Sequence, residues 1–413
     1  MPRYQNDISI LRELAREKAQ IAALEVQEEK RQMWRALNAL HPVRPMVTIS
    51  QMPWHELEAG EELLTLKCAD PFLRGIEQEM RRELYQWTHF PADMVIEPYI
   101  RVAPAVNGNS LVATNEDISV TDAANNIVGH AYHDVFENEA DIDSKISMPK
   151  LTIDTAENNR RFAMAQEAVG GILGVKSAGV DVSLAIWDRI VERHGVENSL
   201  IDVLDRPEFM HHMVSRFVDY YSALTDELER LGLFDETRSY VHCSGCYTDE
   251  LPKDGYAEGH PRARDTWVYG MAQIFASASP AVHDEFEIEP LRALFERYGL
   301  VYYGCCEPLH DRIGLIRKIK NVRKISVSPW ADADRAADEI HGDYVLSNKP
   351  TPALLAADSL DTGAVRAHIS HVMDVCSRTD TPCEFLLKDI STVCYHPKNL
   401  ADWEKTVMGM VQG

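Results

Sequence analysis

From Arg44 to Ser391 the sequence alternates short runs rich in β-branched and aromatic residues with longer stretches of helical periodicity, and no other feature constrains the fold as much. A strand followed by an amphipathic helix, repeated, is the pattern of a parallel sheet covered by its own crossovers. Eight strand-like runs are present, at 44–50 (RPMVTIS), 92–100 (ADMVIEPYI), 170–180 (GGILGVKSAGV), 239–246 (SYVHCSGC), 300–308 (LVYYGCCEP), 322–330 (VRKISVSPW), 342–350 (GDYVLSNKP) and 383–391 (CEFLLKDIS). Eight repeats close a sheet on itself, so the alternation predicts an α/β fold of the (β/α)8 TIM-barrel type in preference to an open doubly wound sheet. The 413 residues fit one such barrel with insertions. No GxGxxG or P-loop pattern interrupts it.

Three segments depart from the alternation. Residues 7–40 place Ile8, Leu11, Leu14, Leu24, Trp34 and Leu37 at helical spacing among charged residues, which predicts an amphipathic helix or helix pair. Residues 1–42 therefore read as a helical extension and 43–413 as the barrel. Between 101 and 150 the Asn107-Gly108 turn signal and β-rich pieces predict a β-excursion after the second strand, on the barrel's carboxyl face. The Gly-, Pro- and Asp-rich stretch 248–265 follows the fourth run and is expected to serve as a lid.

Composition excludes several classes of function. With 42 Lys+Arg against 65 Asp+Glu, a net charge of −23 repels phosphate backbones, so no nucleic-acid partner is expected. No apolar run approaches the roughly 18 residues of a membrane span. The amino terminus, MPRYQNDISILREL, lacks the apolar core of a signal peptide, which makes the cytoplasm the expected location. Eight cysteines are too sparse for a disulfide scaffold and read as reduced thiols or metal ligands.

In a parallel barrel, side chains at the carboxyl ends of the strands converge on one mouth. His242, Cys306 and Glu307 offer the donor types that zinc prefers, with Cys243, Cys246 or Cys305 as the alternative thiolate. The plainer reading makes these cysteines small buried hydrophobes. Lys349 and the Lys388-Asp389 pair end the last two strands, where a lysine binds an anionic group or donates a proton. Solvated rim lysines are the alternative. Trp54, His55, Arg101 and Trp330 follow other strands and are candidate walls of a substrate pocket, with His310 a further polar candidate.

Three stretches carry a family resemblance: NSLIDVLDRPEFMHHMV (198–214), SPAVHDEFEIEPLRALFERYG (279–299) and FLLKDISTVCYHPKNLADW (385–403). In order and spacing they resemble the uroporphyrinogen decarboxylase superfamily across roughly residues 40 to 413. That family's decarboxylases carry an arginine-rich motif after strand one and an aspartate after strand two. The matching stretches here are Ile49-Ser50-Gln51-Met52-Pro53-Trp54-His55 and Ile96-Glu97-Pro98-Tyr99, with neither feature. The chain is closer to the family's corrinoid-dependent methyltransferases, which bind zinc through His-x-Cys after strand five and a Cys after strand eight. Cys306 matches the first Cys, while Gly304 stands at the histidine position and Ser391 near the second Cys.

The resemblance implies a methyltransferase moving a methyl group between a small substrate, such as an aromatic methyl ether, and a corrinoid protein, as the O-demethylase component. It further implies zinc, a corrinoid supplied by the partner, and a homodimer. In that reading Lys349, Asp389 and Glu307 are catalytic, and Lys388 joins Trp54, His55, Arg101 and Trp330 in holding the substrate. The alternative is a divergent lyase that decarboxylates a small acid gripped by Lys349 or Arg101.

Overall fold

The computed structural model describes residues 4–108, 111–120 and 128–413. Eight strands recur along the chain: β1 (Met46–Ile49), β2 (Tyr99–Val102), β3 (Gly174–Ser177), β4 (Trp267–Gly270), β5 (Leu300–Tyr303), β6 (Val322–Val327), β7 (Val345–Asn348) and β8 (Cys383–Leu387). Six of them form one parallel sheet in the order β1-β8-β7-β6-β5-β4. The other two, β2 and β3, pair in parallel with each other. A bridge from Ser183 to Tyr269 links the chain after β3 to β4, whereas β1 and β2 share no ladder among the described residues. The fold is thus α/β, with a curled sheet consistent with a TIM-type barrel that is not hydrogen-bonded all the way round. Every residue of β1, β5, β7 and β8 is buried, as expected of parallel strands covered on both sides.

The fourth strand is not the one the sequence suggests. Residues 239–246 fold into an antiparallel hairpin, Tyr240–Val241 with Ser244–Gly245, and β4 lies beyond it. The hairpin enters the ring. There Lys324 Nζ lies 3.1 Å from Glu384 Oε2, both fully buried, and Ser244 Oγ donates to the same carboxylate oxygen at 2.7 Å. Lys324 also donates to the Gly245 carbonyl at 3.2 Å, and Thr48 Oγ1 donates to the Cys243 carbonyl at 2.8 Å. Gly245 presses on the Trp34 indole so closely that a Cβ there would sit 2.4 Å from the ring. A buried hairpin carries the same apolar residues as a buried strand, so composition does not distinguish them.

The stretch 248–265 is not a lid over the carboxyl mouth. It leads into the amino end of β4; Asp249 meets Arg35 at 3.1 Å, and Glu250 pairs with Arg323 at the start of β6. Both contacts lie on the amino-terminal side of the sheet.

The amino-terminal extension is a helix pair, α1 (Gln5–Ala22) and α2 (Glu25–Asn38). Helix α3 (Pro71–His89) starts where the Asp70 carboxylate accepts the Phe72 and Leu73 N–H groups at 3.0 and 3.1 Å, with Pro71 in the first turn. Its Leu73, Ile76, Met80 and Leu84 pack on Leu11, Leu14 and Ala15 of α1. Each large apolar side chain buried this way contributes about 1.5–3 kcal/mol. Helices Ile186–His194, Val196–Asp205 and Pro207–Leu231 break at Gly195 and before Pro207, as the sequence reads.

The β-excursion leaves the carboxyl end of β2. Asn107-Gly108 does not close a local hairpin, because Val106–Asn107 pairs with the distant Thr152–Ile153. Asn115–Val120 pairs with Val128–His133 farther along, and 109–110 and 121–127 lie outside the described residues. Among the described residues no helix is long and apolar enough to cross a membrane.

Candidate active site

The carboxyl ends of β5, β7 and β8 bring together residues far apart in the chain. After β5, Gly304 has φ +94°, and a Cβ there would meet Leu309 Cδ1 at 2.4 Å. Only glycine makes this turn without strain. The turn folds Glu307 back into the protein, where its carboxylate accepts the Cys305 N–H at 2.9 Å and the Ala272 N–H at 3.4 Å. Lys349 Nζ donates to the Cys305 carbonyl at 2.7 Å and to His242 Nε2 at 3.4 Å. Lys388 Nζ lies 3.5 Å from Cys305 Sγ and pairs with Asp389. Cys306 Sγ stands 3.5 Å from both Cys305 Sγ and Asp389 Oδ2. His242, at the tip of the inserted hairpin, stacks on Tyr269 with ring centroids 4.5 Å apart.

Three non-glycine residues here hold positive φ: Gln51 (51°), His242 (53°) and Asp389 (56°). Gln51 and Asp389 brace each other, since Asp389 N donates to Gln51 Oε1 at 3.3 Å and Ile390 N to the Gln51 carbonyl at 3.2 Å. Backbone strain that persists in a packed structure gathers at functional sites.

The electrostatics are unusual for a strand end. The Cys306 thiol, then His242 and Lys349, hold the Cys305 thiol well below its ordinary range despite burial, and Cys306 is pushed up correspondingly. Burial lowers Lys349 and His242 and raises Glu307. Burial works downward on Lys388 too, but the Cys305 and Asp389 charges outweigh it. Asp188, on the helix Ile186–His194, is pushed up to about 6 by burial and by the nearby Glu307 and Cys305. Sequence reasoning missed Asp188 and Tyr269. Neither sits in a motif, and only the position of β4 and the helix after β3 reveals them.

A cavity of 690 Å³ occupies the gap between β1 and β2. Met52, Trp54, Met94 and Arg101 line it, and His242 stands at the hairpin side, next to Lys349. The expected pocket walls divide accordingly. Trp54 and Arg101 face this cavity, though Arg101 is ion-paired with Asp235. His55 is absent from the lining and sits 3.7 Å from Glu56. Trp330 stands 76% exposed and does not line this cavity. His310 accepts the Asp332 N–H at 3.2 Å, away from the cluster.

The expected metal set is not assembled. Among the described residues no three His, Cys, Asp or Glu side chains are grouped so as to hold an ion. Both Glu307 oxygens are engaged by backbone N–H groups, and the Lys349 and Lys388 ammonium groups stand beside His242 and Cys305. Two cations at that spot repel a third. Cys243 is buried in the hairpin, and Cys246 Sγ donates to the Arg238 carbonyl at 3.2 Å. These donors do not fit zinc.

No family model matches the chain, and no curated protein does. The chain is similar in fold to a methyltransferase from Methanosarcina mazei. The two share 11% identity with a TM-score of 0.50, over 92% of this chain and 98% of the other. At that identity the likeness is one of fold, and chemistry has to be argued from the site.

Proposed function

We propose that the protein is a methyltransferase on a (β/α)8 barrel of the uroporphyrinogen decarboxylase type, moving a methyl group between a small methyl ether and a corrinoid protein. One observation carries this reading: a fold shared over nearly the whole chain with a methyltransferase ends in a cluster of Lys349, Lys388, Asp389 and Cys305 at the strand termini.

Methyl ethers resist cleavage because the alkoxide leaves badly. As the carbon–oxygen bond breaks, its electron pair stays on oxygen, and the Lys388 ammonium donates a proton there. Solvent at exposed Asp389 reprotonates the lysine, and the Asp389 carboxylate pairs with the ammonium so restored. Such general acid catalysis contributes roughly 10²–10⁴ in rate. Glu307 fixes the Cys305 loop through its two accepted N–H bonds. The partner's corrinoid would supply the strong nucleophile that receives the methyl group. Trp330 and Tyr395, 76% and 57% exposed and following the carboxyl ends of β6 and β8, are suited to contact that partner. A cytoplasmic homodimer completes the reading.

The second reading, a lyase, draws on Lys349, whose buried ammonium has no carboxylate partner among the described residues and would grip a substrate acid. Incubation with methoxylated aromatics and a reduced corrinoid protein separates the two. Demethylated product that requires the corrinoid protein supports methyl transfer; carbon dioxide released without it supports the lyase. Neither product from a broad panel would overturn both.

A further inference from the structure

We infer that Cys305 and Cys306 are a reversible dithiol site, oxidised to a disulfide by exchange with a low-molecular-weight disulfide that enters at Cys306. The inference goes beyond the methyl-transfer reading and does not depend on it. Side chains of consecutive residues in a strand point to opposite faces, which would hold adjacent cysteines apart. Here β5 stops at Tyr303, and the chain bends through Cys305, Cys306 and Glu307 after the Gly304 turn. The bend turns both sulfurs to one side, 3.5 Å from each other. Glu307 holds it by accepting the Cys305 N–H at 2.9 Å.

The two thiols take different parts in the exchange. Cys306 is half-buried with its sulfur beside the exposed Asp389, whereas Cys305 is 5% exposed. An incoming disulfide therefore reaches Cys306 first. Cys306 Sγ bonds to one of its sulfurs, the old sulfur–sulfur bond breaks, and the Cys306 proton leaves on the departing thiol. Cys305, with the Lys388 ammonium 3.5 Å from its sulfur to favour the thiolate, then attacks Cys306 Sγ and expels the second thiolate. The cysteine pair is oxidised by two electrons, and the small disulfide is reduced to one thiol and one thiolate. Consecutive Cα atoms stand ~3.8 Å apart, closer than the ~4.4–6.8 Å usual across a disulfide, so the new bond is readily reduced. Forming it removes the sulfur charge beside Lys388, which makes the barrel mouth itself the place that responds.

The test exposes the full chain to millimolar glutathione disulfide, blocks the remaining thiols with N-ethylmaleimide in denaturant, and weighs the tryptic peptides. Residues 298–312 form one such peptide, holding Cys305 and Cys306 and no other cysteine. It is expected to lose both alkylation sites and two hydrogen masses without gaining glutathione, and to recover both sites after dithiothreitol. Exposed Cys394 is the positive control, gaining glutathione in the same sample. Full alkylation of Cys305 and Cys306 while Cys394 is modified overturns the inference, and that comparison needs no variant to fold. A disulfide joining two chains through either cysteine overturns it too. Cys305→Ser should stop with glutathione on Cys306, and Cys306→Ser should leave Cys305 free. Glutathione on Cys305 in the second variant reverses the order of attack and defeats the inference.

Discussion

Lys388 Nζ lies 3.5 Å from Cys305 Sγ, joining the end of β8 to the end of β5. A thiol whose proton is held less tightly than usual stays a thiolate as the pH falls. Iodoacetamide should therefore modify Cys305 at pH 6, where an ordinary thiol of pKa about 8.5 is almost unreactive. Peptide-mapped alkylation rates, with exposed Cys394 as internal comparison, read this directly. Cys306→Ala, which removes the group that lowers it most, should restore the steep rise with pH. A Cys305 rate that climbs tenfold per unit up to pH 8 in the unaltered protein contradicts the geometry.

Asp188 titrates near 6 because burial and its acidic neighbours disfavour its charge. Activity governed by the mouth should bend near that pH, and Asp188→Asn should remove the bend while leaving the rest of the profile. An unchanged profile in the variant would detach Asp188 from the site.

Burial raises the Glu307 carboxyl above its ordinary value of 4.5. A raised folded pKa contributes stability below the unfolded value and loses it as pH climbs through the folded one. Compared with Glu307→Gln, the native protein should thus lose relative stability from about pH 4.5 upward. Urea unfolding of both proteins between pH 4 and 8 measures the difference, and a gap that widens in favour of glutamate with rising pH has the wrong sign.

Lys324 and Glu384 form a fully buried pair that also holds the inserted hairpin. Removing one partner strands a charge, so Lys324→Met or Glu384→Gln should cost about 3–5 kcal/mol in unfolding free energy. Replacing both by apolar residues should cost much less. Equal losses for the single and double variants would show that the hairpin does not depend on the pairing.

Gly304→Ala should destabilise the protein by about 1 kcal/mol or more from positive φ alone, before the contact with Leu309 is counted. Gly304→His should gain no zinc, because the backbone and the two lysines remain. Zinc uptake by that variant would reverse the conclusion about the donor set.

Most of the frame was legible in the sequence because parallel strands are apolar throughout and end where polar residues begin. LVYYGCCEP and CEFLLKDIS announce β5 and β8 together with the groups that follow them. Convergence of Cys305, Glu307, Lys349, Lys388 and Asp389 follows from topology alone. The hairpin at 240–245 was misread because its burial inside the ring mimics a strand. That displaced β4 and hid Tyr269. The expected donors are not grouped among the described residues for a reason no spacing rule contains: where each lysine points, and which backbone N–H groups claim Glu307, is decided by packing.

The unlaced seam between β1 and β2 has an evolutionary consequence. A fully stitched ring fixes its bore through its ladders, whereas this one leaves a side port whose width depends on Trp54, Met94 and the α3 residue Met80. Exchanging those side chains can resize the port without breaking a single inter-strand bond, so descendants of this fold can acquire bulkier or slimmer substrates while the reacting groups at the rim stay where they are.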